Sequence, residues 1–305
     1  MSEEIRSTAA PLSKRGIFFR RLFSFVVLWT IVIGALFSGH KVLSDYFFLL
    51  ILVFLAATGL MEFYGMAQKL GYACYTKLGI FGGVLLISAT FVYVSGDFGF
   101  AARPWRVNDF ETSFLIFFVL GLCLSQLASR RNTTGFIAIS TTLFGWMYVP
   151  WLLNFIQKIN FFGQQGVEGQ YYVLYFVVVT KLSDCGAYAV GSLFGKHKMI
   201  PRISPGKTWE GFAGAVVVST AASVVFARVA GGHLAGMTPA HSIVLGVILS
   251  TGAVVGDLIE SLFKREAGLK DSGHLFPGIG GILDLLDSLL FNAPLMYLYL
   301  RHVLT

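Results

Sequence analysis

The chain has 305 residues, of which 55% are hydrophobic and 13% are charged, and its mean hydropathy is +0.72. Soluble domains carry about 25% charged residues, so this composition excludes an ordinary soluble enzyme and indicates a polytopic helical membrane protein. The net charge of +7 comes from basic residues scattered at the ends of apolar segments, which gives no reason to expect nucleic-acid binding.

Apolar segments follow one another along the whole chain and predict an all-α fold. Most of them are long enough to cross a bilayer, and the first is expected to be an uncleaved helix because no small-residue cleavage site follows it. The nine predicted segments are 22–37, 44–64, 78–96, 113–128, 134–157, 171–193, 211–231, 240–263 and 281–300. Three regions follow from them: a cytoplasmic N-terminal segment 1–21, N-terminal transmembrane helices 22–170, and a C-terminal transmembrane catalytic region 171–305.

The basic residues predict the topology of these segments. With the N-terminus in the cytoplasm, 16 basic residues fall in inside segments and 5 in outside segments, Lys158 among the latter. Positive charge favours the cytoplasmic side, so we expect a multi-pass protein of the cytoplasmic (inner) cell membrane with its N-terminus inside. The charged hairpins 194–210 and 264–280 then lie on the cytoplasmic face, and 97–112 is expected to be an outer interfacial segment.

The stretch from Asp257 to Asp287 holds the densest charge of both signs. Asp257, Ser261 and Lys264 share one helical face, and Asp284 and Asp287 share a face of the next helix. A carboxylate inside an apolar run is costly, so we interpret these side chains as a site for a divalent cation and a polyphosphate. A charged loop between two membrane helices is the alternative.

A second polar region lies upstream. Lys181, Asp184 and Tyr188 fall on one face of a predicted helix. Ser204 or Thr208 is expected to cap the next helix, with Glu210 in its first turn. Lysines beside a helix N-terminus favour an anion site, although a neutralising Lys181–Asp184 pair and simple caps remain alternatives.

Together these residues resemble the phosphatidate cytidylyltransferase (CDP-diacylglycerol synthase) family. The resemblance covers about the last 125 positions. The matching residues are Asp184, Ala187, Tyr188, Gly191, Phe194, Gly195, Lys196, Ser204 to Gly211, Ser261, Lys264, Arg265, Lys270, Asp271, Gly280, Gly281, Asp284 and Asp287. Ile279 and Leu285 depart from the signature, which has histidine and arginine there.

The resemblance implies transfer of CMP from CTP to phosphatidate in the bilayer, with Mg²⁺ and a second cation nearby. It implies metal ligation by Asp257, Asp284 and Asp287, and catalytic roles for Lys264, Arg265, Asp284 and Asp287. The substrate-binding residues it implies are Asp184, Ser204, Lys207, Ser261, Lys270 and Asp271. The oligomeric state is not decided by the sequence, and a homodimer is left open.

Three alternatives remain. A CTP-dependent lipid or polyprenol kinase of the same superfamily would use the same nucleotide but transfer its γ-phosphate. A transporter would place Asp184, Asp257 and Lys181 along an ion path, but its charges would spread across the membrane depth. An inactive membrane homologue is supported only by Ile279 and Leu285.

Overall fold

The structure, a computed structural model, describes residues 14–96, 104–129, 134–162, 167–273, 275 and 280–304. Within these ranges the chain forms helices and no strand. The helices are α1 (Lys14–Phe37), α2 (Lys41–Lys69), α3 (Thr76–Ser95), α4 (Pro104–Ala128), α5 (Gly135–Trp146), α6 (Leu152–Asn160), α7 (Gly169–Phe194), α8 (Trp209–Ala230), α9 (Pro239–Glu266) and α10 (Ile282–Tyr299). A π-helical turn with Pro150 joins α5 to α6, so the two form one span.

The predicted all-α polytopic fold is confirmed. Eight spans in the described ranges are long and apolar enough to cross a membrane: α2, α3, α4, α5 with α6, α7, α8, α9 and α10. The first predicted segment falls in α1, where Val26–Phe37 forms a shorter apolar helix.

One predicted boundary is wrong. The interfacial segment was expected to run to residue 112, but α4 begins at Pro104. Proline is favoured in the first turn of a helix because its missing N–H has no partner there anyway. The earlier part of that segment, residues 97–103, lies outside the described residues.

α7, α8 and α9 pack closely because small residues face one another. A methyl group added at Gly186 on α7 would lie 2.7 Å from the carbonyl oxygen of Gly214 on α8, so the two backbones touch. The Ser219 hydroxyl of α8 lies 3.2 Å from the carbonyl oxygens of Val179 and Gly246, one on each neighbouring helix. Small residues and interhelical hydrogen bonds are the usual means of packing helices in membranes, and here they fix the helices that carry the site.

α10 is held against α7 and α9 by a buried amide. The Asn292 side-chain nitrogen donates to the Thr180 hydroxyl of α7 and to the Leu249 carbonyl of α9, each at 2.8 Å. These bonds fix the depth of α10 relative to both neighbours. The polar residues at the start of α10 are therefore held at a defined height beside α7 and α9.

Lys158 is buried near the end of α6, which runs to Asn160, three residues beyond the predicted end of that segment. Its side chain belongs to α6, and its Nζ lies 2.5 Å from Glu111 Oε2 of α4. The Asn154 amide donates to the other carboxylate oxygen at 2.6 Å. Burial of a lysine is tolerated when a hydrogen-bonded opposite charge accompanies it, and Glu111 supplies that charge.

Candidate active site

The two polar hairpins meet at one end of the helix bundle. Arg265, at the end of α9, donates from its Nε to the Ile203 carbonyl and from Nη1 to the Leu269 carbonyl, each at 3.3 Å. One guanidinium thus joins the turn before α8 to the turn after α9. The hairpins share one face as predicted, while the cytoplasmic orientation of that face stays a prediction.

Three carboxylates cluster at this end. Asp257 and Glu260 of α9 and Asp287 of α10 each offer an oxygen within 4.8 Å of the others. The Ser261 hydroxyl donates to Asp257 Oδ1 at 3.2 Å. Glu260 is only 1% exposed, and its Oε1 has no hydrogen-bond partner.

This cluster, called the acidic cluster below, fits a divalent cation. A buried carboxylate oxygen without a partner is costly unless something binds it. Oxygen ligands from carboxylates are those that Mg²⁺ prefers. The unpartnered oxygen of Glu260 and the close approach of the other two carboxylates both indicate a ligand with positive charge.

Asp284 lies apart from the acidic cluster. Its Oδ1 is 2.6 Å from Lys264 Nζ, and its Oδ2 accepts from the backbone nitrogens of Gly281 and Ser272 at 2.8 and 2.9 Å. Asp284 therefore caps the start of α10 and pairs with a lysine. Of the three predicted metal ligands, the structure brings Asp257 and Asp287 together, adds Glu260, and engages Asp284 elsewhere.

Lys264 is enclosed by carboxylates. Its Nζ lies 2.5 Å from Glu260 Oε2 and 2.6 Å from Asp284 Oδ1, and the side chain is 11% exposed. The ammonium group thus joins the acidic cluster to the start of α10. In this arrangement the charge of Lys264 is neutralised by carboxylates of the protein. To contact a triphosphate, Lys264 would have to break one of these two ion pairs.

A cavity of about 370 Å³ opens beside the acidic cluster between α7, α8 and α9. Lys207 projects into it, and its Nζ lies 2.8 Å from Asp257 Oδ2. The predicted residues Asp184 and Ser204 also line the cavity. Its lining includes Asp184, Tyr188, Ser204, Lys207, Thr208 and Asp257.

Thr208 caps α8, which confirms one of the two residues predicted for that role. Its Oγ1 accepts from the Gly211 backbone nitrogen at 3.1 Å. Glu210 lies in the first turn, where it accepts from the His197 backbone nitrogen at 3.2 Å. Ser204 is not the cap and instead faces the cavity.

Lys181 reaches α10 from α7. Its Nζ lies 3.0 Å from the Leu285 carbonyl oxygen and 3.0 Å from the Ser288 hydroxyl. Asp184 Oδ2 is 3.6 Å away and accepts from the same hydroxyl at 3.3 Å. The lysine therefore pairs with Asp184 and also reaches α10.

Three predicted substrate-binding residues are not brought to the cavity. Ser261 is not in its lining and donates to Asp257 instead. Lys270 and Asp271 are exposed in the turn after α9 and are not among the described residues of the lining. Ile279 lies outside the described residues.

Glu62 of α2 reaches this end of the bundle, although the sequence gives the N-terminal half only a hydropathic pattern. Its Oε1 accepts from the Ile282 backbone nitrogen, and its Oε2 accepts from the Leu283 nitrogen and the Ser272 hydroxyl, each at 2.9 Å. The signal that could have found it is its position as a carboxylate within the apolar segment 44–64.

The charges around the acidic cluster are unbalanced. Five carboxylates and three ammonium groups lie in contact with one another or line the cavity, which leaves two negative charges in excess when all are ionised. A single divalent cation would balance this excess. The residues are Asp184, Asp257, Glu260, Asp284 and Asp287 with Lys181, Lys207 and Lys264.

Comparisons with known proteins identify the family of the chain. The model of the cytidylyltransferase family matches residues 19–303. A protein of Staphylococcus saprophyticus named phosphatidate cytidylyltransferase is 32% identical over 252 residues, which is 83% of this chain and 91% of that protein. Proteins of the same name from Mycobacterium bovis and Bacillus subtilis are 40% and 36% identical over 53% and 60% of the chain. The chain spans about half the length of the mycobacterial relative and 66% of the Bacillus one.

Proposed function

The chain belongs to the cytidylyltransferase family, and we propose that it transfers CMP from CTP to phosphatidate, giving CDP-diacylglycerol and pyrophosphate. The observation that carries the proposal is the acidic cluster beside a cavity that holds Lys207, at the end of apolar helices. A site at the membrane surface can receive a soluble nucleotide and a lipid whose acyl chains stay in the bilayer.

The reaction needs little acid–base chemistry. An ionised phosphate oxygen of phosphatidate attacks the α-phosphorus of CTP and forms a new P–O bond. The bond from the α-phosphorus to the oxygen that bridges it to the β-phosphorus then breaks, and pyrophosphate leaves. Because the nucleophile is already anionic, the protein's task is to bring two polyanions together in the correct orientation.

We propose that Asp257, Glu260 and Asp287 hold Mg²⁺. When bound, the ion would supply positive charge to the reacting phosphates. The family resemblance also implies a second cation, for which Asp184 would be a further carboxylate on the same cavity.

Lys207 has two partners in this proposal. Without substrate its ammonium group neutralises Asp257 at 2.8 Å. Once a cation takes over the charge of Asp257, Lys207 is free to pair with a phosphate oxygen in the cavity.

We propose that the site faces the cytoplasm in the cell membrane. The support is the excess of basic residues in the segments assigned to that side and the meeting of both basic hairpins at the site. This orientation gives the site access to cytoplasmic CTP. A homodimer stays an open prediction.

The test is an assay of the purified protein in detergent with α-labelled CTP, phosphatidate and Mg²⁺. We expect label in the lipid fraction as CDP-diacylglycerol, with pyrophosphate released, and none with Asp287→Asn. Label transferred to a polyprenol from γ-labelled CTP, with none from α-labelled CTP, would replace the proposal by the kinase. Absence of both transfers would identify an inactive homologue.

A further inference from the structure

Glu62 caps the start of α10, a helix that begins 220 residues later in the chain. The first backbone N–H groups of any helix lack partners within it. In α10 the carboxylate of Glu62 accepts from the first two, those of Ile282 and Leu283, each at 2.9 Å. A negative charge there is also favoured by the helix dipole. A residue of the N-terminal half therefore fixes the position of α10 at the site.

A second contact links Glu62 to the turn before α10. The Ser272 hydroxyl lies 2.9 Å from Glu62 Oε2 and 2.9 Å from Asp284 Oδ2, so its single proton lies between two carboxylates. The Ser272 backbone nitrogen also donates to Asp284 at 2.9 Å. The orientation of Asp284 thus depends on Ser272, which in turn is held by Glu62.

These contacts continue to the acidic cluster. Asp284 pairs with Lys264 at 2.6 Å, and the same ammonium group pairs with Glu260 at 2.5 Å. Asp287 lies on α10 about 7.5 Å along the helix from Ile282. A shift or rotation at the start of α10 would therefore move Asp287 directly, and would move Glu260 through Lys264.

We propose that Glu62 is a positioning residue for the acidic cluster, which it places through the start of α10 and through Ser272. The proposal rests on the proposed function in one respect, that the acidic cluster binds a divalent cation. Glu62 is not proposed as a ligand, because it is not among the carboxylates that the structure brings together in the acidic cluster. Loss of residues that orient metal ligands typically weakens metal binding by about 10–100-fold.

The experiment measures Mn²⁺ binding by electron paramagnetic resonance on the full-length protein in detergent. Glu62→Gln is expected to bind Mn²⁺ at least about tenfold more weakly than the unmodified protein, because an amide presents an N–H to the helix start. Glu62→Asp keeps the charge and should recover part of the affinity. Ser272→Ala leaves the contacts of Glu62 with α10 but removes the hydroxyl that lies between Glu62 and Asp284, so it should also weaken binding.

The matched control is Glu168→Gln, which changes a carboxylate that pairs with His233 at 2.9 Å and should leave Mn²⁺ affinity unchanged. A positioning role changes the dissociation constant, whereas a loss of folded molecules lowers only the number of sites. Unchanged affinity in Glu62→Gln, with or without fewer sites, would overturn the inference, as would an unmodified protein that binds no Mn²⁺. If the unmodified protein binds Mn²⁺ but makes no CDP-lipid, the proposed function fails and the inference stands.

Discussion

Asp284→Asn is expected to destabilise the protein, because the structure gives Asp284 a capping role as well as a charge. The substitution keeps the size of the side chain but removes the partner of Lys264 at 2.6 Å. It also turns an NH₂ group toward either Lys264 or the backbone nitrogens of Gly281 and Ser272. Loss of one hydrogen bond to a charged group costs about 1.5–3 kcal/mol. Lys264 keeps Glu260 at 2.5 Å, which limits the cost to about this range.

The matched control is Asp287→Asn, the same chemical change three residues later on α10. An Asp287 oxygen lies within 4.8 Å of two other carboxylates, so removing its charge relieves repulsion and should leave the metal-free protein as stable as before or more so. At about 2–4 °C per kcal/mol, Asp284→Asn should melt about 3–12 °C lower in detergent without metal.

Differential scanning fluorimetry of both variants, with and without Mg²⁺, checks this reasoning. We expect Mg²⁺ to raise the melting temperature of the unmodified protein and to have no effect on Asp287→Asn. Both variants should stay inserted in membranes and lose CMP transfer. A metal-free melting temperature for Asp284→Asn equal to that of the unmodified protein would refute the capping role, and a large fall for Asp287→Asn would refute the repulsion.

Three further predictions concern the cations. Lys207→Met should bind Mn²⁺ more tightly, because a positive charge leaves Asp257, and yet transfer CMP more slowly; equal rates would contradict the phosphate-facing role of Lys207. Glu111→Gln leaves Lys158 buried without its charged partner, which costs about 3–5 kcal/mol. The double variant Glu111→Leu with Lys158→Met should melt at a higher temperature than this single variant. Arg265→Lys, which cannot reach both backbone carbonyls that the guanidinium joins, should raise KM for CTP in steady-state assays without lowering the melting temperature.

Much of the fold follows from the sequence. Long apolar segments have few alternatives to helices in a membrane, which is why each predicted segment appears as a helix. The location of the site follows too, because charges at Asp257 and Asp287 are costly in such segments and so indicate function. The depth of Lys158 does not follow, since its burial depends on Glu111 in another helix.

The composition of the site is harder to predict. Helical spacing places Asp284 and Asp287 on one face, but it does not show that one caps α10 and the other joins the acidic cluster. That division depends on the turn before α10. Glu62 stands out as a carboxylate within the apolar segment 44–64, but its role does not follow, because two of its partners are backbone nitrogens of α10 that leave no mark in the sequence.

The distance along the chain between Glu62 and its partners has a consequence for biosynthesis. At about 5–20 residues per second, the 220 residues between them take about 10–45 s to translate. During that time α2 has been synthesised, but the carboxylate of Glu62 has no helix to cap. An unpaired charge within or beside a bilayer is costly. Arrival of α10 ends this state and assembles the acidic cluster in the same event. Nascent chains that stall before α10 therefore leave the Glu62 carboxylate without its backbone partners.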